Sequence, residues 1–282
     1  MILPANLLGI LSAIASALVW GSGDFSGGFA SRRSHPLQVL TLSALSGILV
    51  LLAGALLLGE ALPALPSILW ALAAGAVGTI GVASLYRALA VENAASVAPA
   101  AAVVGAALPV GFGMLTQGLP DTLQLAGFGL ALLGIGLVSR SPGAAGGVSR
   151  RGLGLALLAG LGFAGFFILI ARVQPGLVFM PLVFSRSMTF FTALLLLRFS
   201  RVALPSLKSN PPALLAGVLD AGGNIFFLLA KQYTRLDVAV ILSSLYPAVT
   251  VLLAVLLLRQ KISRAQGLGV LVCLLAIGLI TV

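Results

Sequence analysis

Long apolar tracts follow one another along this chain with only short connections between them, and each is about the length that a helix needs to cross a bilayer. They run approximately 7–30, 36–58, 66–89, 94–116, 122–139, 152–171, 177–197, 212–232, 236–258 and 264–282. Only 8% of the 282 residues are charged, and the mean hydropathy is +1.18. Soluble domains carry roughly 25% charge, so the lipid bilayer is the expected solvent and no soluble domain is expected. Alternating polarity in segments of about ten residues would mark a membrane β-barrel, and none is present. The fold class is therefore an all-α integral membrane protein with ten transmembrane helices. Residues 7–30 lack the basic leader and short apolar core of a signal peptide, which makes them a retained first span.

The sixteen Lys and Arg residues give a formal charge of +10. In a soluble chain that would suggest a nucleic-acid partner; here no nucleic acid is expected, because the basic residues are sorted by connection. After the odd spans stand Arg32, Arg33, Arg87, Arg140, Arg150, Arg151, Arg198, Arg201, Lys208, Arg259, Lys261 and Arg264, whereas the even spans are followed only by Arg172, Lys231 and Arg235. The positive-inside rule then places the odd connections in the cytoplasm and both chain ends outside, in a multi-pass protein of the cell inner membrane. His35 and Cys273 are the single histidine and cysteine, so one chain holds neither a disulfide nor a Cys/His metal cluster, and no cofactor is expected.

Between the fifth and sixth tracts lies S-R-S-P-G-A-A-G-G-V-S-R-R-G, residues 139–152, whose proline, glycines and arginines mark a connection. The two sides of it match when the chain is slid against itself by about 142 residues. Gln124 to Gly127 then falls on Gln266 to Gly269, and Ala131 to Ser139 on Cys273 to Thr281; with small shifts, Pro36-Leu37 meets Pro181-Leu182. The chain divides into a first repeat (1–140), a linker (141–151) and a second repeat (152–282). Five spans is an odd number, so the second copy enters the membrane from the opposite face. Inverted repeats of this kind belong to secondary transporters, which expose one central site to either side in turn.

The repeat is accompanied by Trp20-Gly21 in span one, Pro181 and Arg186 in span seven, Ser244-Leu-Tyr-Pro247 in span nine and Gln266-Gly267 opening span ten. In these motifs and their order the chain resembles the EamA-type branch of the drug/metabolite transporter superfamily, which includes bacterial amino-acid and metabolite exporters. The resemblance implies a basket of helices around a cavity formed mainly by spans one, three, four, six, eight and nine, moving small metabolites. It implies no particular substrate. The chain departs from the pattern in having Ala106 near where the second half has Pro247, and Arg259-Gln260-Lys261 where an acidic residue is usual.

Ionisable groups at membrane depth are costly and face a cavity or a partner. With a rise of about 1.5 Å per residue, Arg186 and Asp220 lie about 2 and 3 Å from the centres of their spans, and Asp24 roughly 8 Å from the centre of its own, toward the cytoplasm. Two readings of Arg186 and Asp220 stand side by side: they hold the carboxylate and ammonium of a zwitterionic substrate, or they form a structural salt bridge between spans seven and eight. Asp24, with no basic residue in its span, is read as a substrate or proton site, protons being the candidate coupling ion. Ser16, Trp20 and Asp24 share one helical face, as do Gly217, Asp220, Asn224 and Phe227. Ser243 and Tyr246 join them from span nine, and Tyr86 is either a gate or an interfacial anchor. Pro99, Pro109 and Pro247 are candidate hinges. Catalytic signatures are absent and no enzyme activity is expected. The expected function is secondary active transport of amino acids or related metabolites by alternating access, in the direction of efflux, by a monomer. A passive channel or facilitator and a cationic-drug exporter are the alternatives, with a membrane-embedded lipid enzyme ranked below them.

Overall fold

The computed structural model describes residues 4–31, 33–91, 94–138, 150–259 and 263–281. These form eleven helices and no strand: α1 (Ala5–Ala30), α2 (Pro36–Leu57), α3 (Leu65–Val91), α4 (Ala94–Gln117), α5 (Thr122–Val138), α6 (Arg150–Ile170), α7 (Phe179–Phe199), α8 (Pro211–Tyr233), α9 (Leu236–Ser243), α10 (Tyr246–Leu258) and α11 (Arg264–Thr281). The linker reading falls almost wholly on residues 139–149, outside the described residues. Seven segments are long and apolar enough to cross a membrane, the α9–α10 pair counting as one, and three shorter apolar helices accompany them.

Local sequence explains where the helices begin and turn. His35 caps α2 by accepting from the Leu37 N–H, Pro36 occupies the first turn, and Gln38 returns a bond to the His35 N–H. Prolines 211 and 212 open α8 in the same way. Gly118 and Gly176, at φ of 81° and 87°, reverse the chain after α4 and α6 in a conformation that side chains with a Cβ disfavour.

Span nine, in which Pro247 is a candidate hinge, is interrupted along its length. The helix breaks at Ser244-Leu245, between α9 and α10. Pro247 has no N–H to offer the carbonyl one turn earlier, and the chain closes the gap with tight turns. Leu245 N–H bonds to Leu242 O at 3.3 Å and Ala248 N–H to Leu245 O at 3.0 Å.

Packing relates the two halves. The principal pairs are α1 with α8, α3 with α6, α5 with α11, α2 with α7, α2 with α8, α3 with α7, α4 with α6, and α1 with α9 and α10. Exchanging α1 to α5 for α6, α7, α8, α9–α10 and α11 turns this set into itself. At the self-paired contact of α5 and α11, a Cβ on Gly127 would lie 2.7 Å from Ile280 and 3.3 Å from the Ala276 carbonyl, while one on Gly269 would lie 2.6 Å from the Val138 nitrogen. Val138 and Ile280 stand 142 residues apart, as do Gly127 and Gly269. The offset found by sliding the sequence is thus realised as an antiparallel, two-fold interface between equivalent helices.

Candidate functional site

Small residues on α1 bring the centre of the bundle together. Gly9 lies against Thr234, Gly23 against Leu219 and the Asp220 nitrogen, and Gly21 against Tyr246 and Val249. Backbone can approach this closely only where side chains are short. Hydroxyls then bridge the helices: Ser16 Oγ donates to Gly223 O at 2.8 Å, Ser26 Oγ to Pro212 O at 2.8 Å, and Thr250 Oγ1 to Gly21 O at 3.0 Å.

Trp20 sits over Gly223, whose missing side chain leaves room for the indole. Its ring centroid lies 5.7 Å from that of Phe167, 5.9 Å from Phe227 and 6.5 Å from Tyr246, and Phe167 and Phe227 are themselves 4.9 Å apart. Four helices, α1, α6, α8 and α10, thereby meet in one aromatic layer. Of its members Trp20 and Tyr246 were picked out in the sequence as site residues, and Phe227 as a neighbour on the Asp220 face. Phe167 was missed; the only available signal was an aromatic run, Phe166-Phe167, after the closely spaced glycines of α6.

The three charged positions are arranged on one side of that layer. Arg186 and Asp220 form an ion pair. Their helices, α7 and α8, barely touch; α2 packs against both, and Arg186 runs past Gly47 of α2 to reach its partner. Asp24 follows Gly23, which backs onto α8 at Ala216 to Asp220, so it lies within about one helical turn of the Asp220 level. Its carboxylate is near enough to the Tyr246 hydroxyl for the two to interact electrostatically. Among the described residues no cation pairs with Asp24, which is exposed.

The other anticipated residues have local roles. Asn224 is buried, donates to the Asp220 carbonyl at 2.6 Å, and leaves its Oδ1 without a partner. Ser243 is buried and donates to Ala13 O at 3.4 Å, joining α9 to α1. Pro109 lies inside the continuous α4, whereas Pro247 stands just beyond the break between α9 and α10. The side chains of Tyr86, Pro99 and Pro247 lie outside the described ones.

Beyond the aromatic layer, the opposite end of the bundle is held together by polar contacts of Glu60, Arg235 and Asp237, none of which sequence reasoning placed in the site. Glu60, between α2 and α3, accepts the Val178, Phe179 and Met180 N–H groups at 3.0, 3.0 and 2.9 Å and so caps α7. Arg235 grips the buried Asp237 through Nε at 3.1 Å and through Nη2 at 2.7 Å, and also reaches the carbonyls of Gln117 and Gly118. Donating to the Asp237 carboxylate raises the pKa of the Arg235 guanidinium above its ordinary value. Two clefts open at this end, of about 500 and 210 Å³.

The EamA-like transporter family model matches this chain twice, over residues 7–140 and 150–282. The chain belongs to the EamA-like transporter family. It is a multi-pass membrane transporter in two repeats, in keeping with the exchangeable packing of its halves. One solved crystal structure, 18% identical, aligns over 96% of this chain and 95% of its own with a TM-score of 0.76, a likeness that establishes the fold alone. A search of curated proteins returns no significant match.

Proposed function

We propose that this EamA-like transporter is a secondary active carrier that exports amino acids or closely related amine-bearing metabolites across the cytoplasmic membrane by alternating access. Ten crossings, with the α9–α10 pair as one broken span, put the two repeats in the bilayer in opposite orientations. Their near-equivalence supplies the two states of a carrier, open to one face or the other, and a broken helix at mid-depth is a place where such a bundle can bend. The observation that carries the substrate class is Asp24, an exposed carboxylate without a cationic partner among the described residues, one helical turn from Trp20 and within electrostatic reach of the Tyr246 hydroxyl. A carboxylate near aromatic residues suits an ammonium group. Arg186 keeps donors to spare after engaging Asp220, since a guanidinium carries five N–H groups. It takes the substrate carboxylate, with Asp220 holding it in position. Asp24 exchanges a proton when no substrate is bound.

Thermal stabilisation of the purified protein tests the assignment, because a ligand that binds the folded state raises its stability by mass action, about 2.7 kcal/mol at 100 times Kd. Amino acids are expected to raise Tm in the native protein and to lose the effect in Asp24→Asn. If uncharged solutes stabilise and amino acids do not, the assignment is wrong. One observation favours a second reading: Asp220 already neutralises Arg186, which leaves a site of net negative charge suited to organic cations. Simple amines that match amino acids in the same screen would select that reading. Saturable counterflow of labelled substrate in proteoliposomes separates a carrier from a passive facilitator.

A further inference from the structure

All three basic residues of the even connections, Arg172, Lys231 and Arg235, gather at one end of the bundle. Arg235 shows what a structural cation looks like there: it is paired with Asp237 and bonded to two helix-terminal carbonyls. Arg172 and Lys231 are arranged otherwise. They line the same cleft of about 210 Å³, together with Phe112, Thr116 and Gln117. Neither has a carboxylate partner among the described residues. They are close enough to repel one another, and the Arg172 guanidinium lies over the Phe112 ring, 5.2 Å from its centroid. Two like charges facing a shared cleft disfavour each other, and an anion between them removes that cost. The basic residues at the ends of α6 and α8 do complement the helix dipoles, but the dipoles do not require both to face one opening.

The position of the cleft is informative as well. Phe167 precedes Arg172 by about one turn of α6, and Phe227 precedes Lys231 by one turn of α8, so the cleft lies directly beyond the aromatic layer from Asp24. We infer that this cleft is an oxyanion site, in which Arg172 and Lys231 hold a carboxylate or phosphate group at the mouth of the transporter. The group arrives on a small solute or on the headgroup of an anionic lipid. Its occupancy is independent of the substrate assigned to Asp24.

The protein has three lysines, Lys208, Lys231 and Lys261. In the full-length Lys208→Arg/Lys261→Arg variant, the rate at which an amine-reactive reagent modifies Lys231 is read by peptide mass spectrometry. Benzoate or inorganic phosphate added to protein in neutral detergent is expected to slow modification about tenfold at roughly ten times its Kd, since only the unoccupied fraction reacts. Chloride at equal ionic strength is expected to do little, which separates binding from screening. Arg172→Gln should abolish the protection and Arg172→Lys should retain part of it. Protection by free oxyanions identifies a solute site. Protection only in nanodiscs containing phosphatidylglycerol, and not in phosphatidylcholine, identifies the lipid headgroup. Unchanged labelling under both conditions, protection by chloride equal to that by phosphate, or undiminished protection in Arg172→Gln would overturn the proposal.

Discussion

A single ion pair shows how charge is made tolerable inside this protein. Arg186 and Asp220 come from helices that scarcely meet, and the long arginine side chain spans the gap across Gly47. Removing one partner leaves the other without compensation, which in a fully buried pair costs about 3–5 kcal/mol. Asp220→Asn is therefore expected to lower stability by about 2 kcal/mol, less than that range because the Asp220 side chain is 36% exposed. Unfolding in detergent measures the loss. Arg186→Met/Asp220→Leu should recover most of the stability, because apolar groups replace a buried pair at little net cost, yet should not recover amino-acid transport. A double variant that transports normally would reduce the pair to a clamp. Close approach supplies a second residue-level prediction. A Cβ on Gly217 would overlap the Ser43 carbonyl oxygen and the Ser46 hydroxyl, which itself donates to Leu214 O at 2.8 Å. Gly217→Ala must push α2 away from α8, and a loss of about 1–3 kcal/mol, typical of overpacking, is expected in the same assay.

At the scale of helices, hydrophobic run length was a sufficient guide to nearly every boundary. Because a bilayer demands that each span satisfy its own backbone, the ends of α1, α2, α4, α5 and α8 lie within about three residues of the apolar tracts. The break between α9 and α10 was legible only as Pro247, since whether a proline kinks a helix or severs it depends on what packs around it. The site divides in the same way. Asp24, Arg186 and Asp220 announced themselves as charges at membrane depth. Phe167 did not, because a phenylalanine in an apolar tract looks the same facing lipid or a neighbouring indole. The Glu60 cap of α7 was invisible for another reason: its three bonds join residues some 120 positions apart. It carries a prediction at this scale. Glu60→Ala should cost about 1–2 kcal/mol, the magnitude of a lost N-cap, and should increase hydrogen exchange at Val178, Phe179 and Met180 above that of the α8 core. Unchanged exchange at those amides would show that α7 holds its first turn without the carboxylate.

For the whole molecule, parity governs the mechanism. The packing pattern maps onto itself when the halves are exchanged, and the equivalent helices α5 and α11 meet antiparallel along Gly127, Gly134 and Gly269. Two copies that face opposite ways about a shared centre can trade conformations, and in the proposed carrier the trade would expose the Asp24 region alternately to each side. This requires an odd number of crossings per copy, so every connection has a definite face. The buried Cys273 can be replaced by Ala, and single cysteines then placed at Ser34 and Ser206 in odd connections and at Leu62, Gly118 and Gln174 in even ones. An impermeant maleimide applied to intact cells is expected to modify positions 62, 118 and 174, and in inverted membrane vesicles to modify 34 and 206. This assignment of the two sets is what the positive-inside rule predicts from the charge bias. A uniform swap of the two sets would reverse the orientation and leave the carrier intact, because the halves would still oppose one another. A pattern in which 62 and 174 label from different faces would do more: it would give the repeats an even number of crossings, set them parallel, and remove the pseudo-symmetry on which alternating access rests.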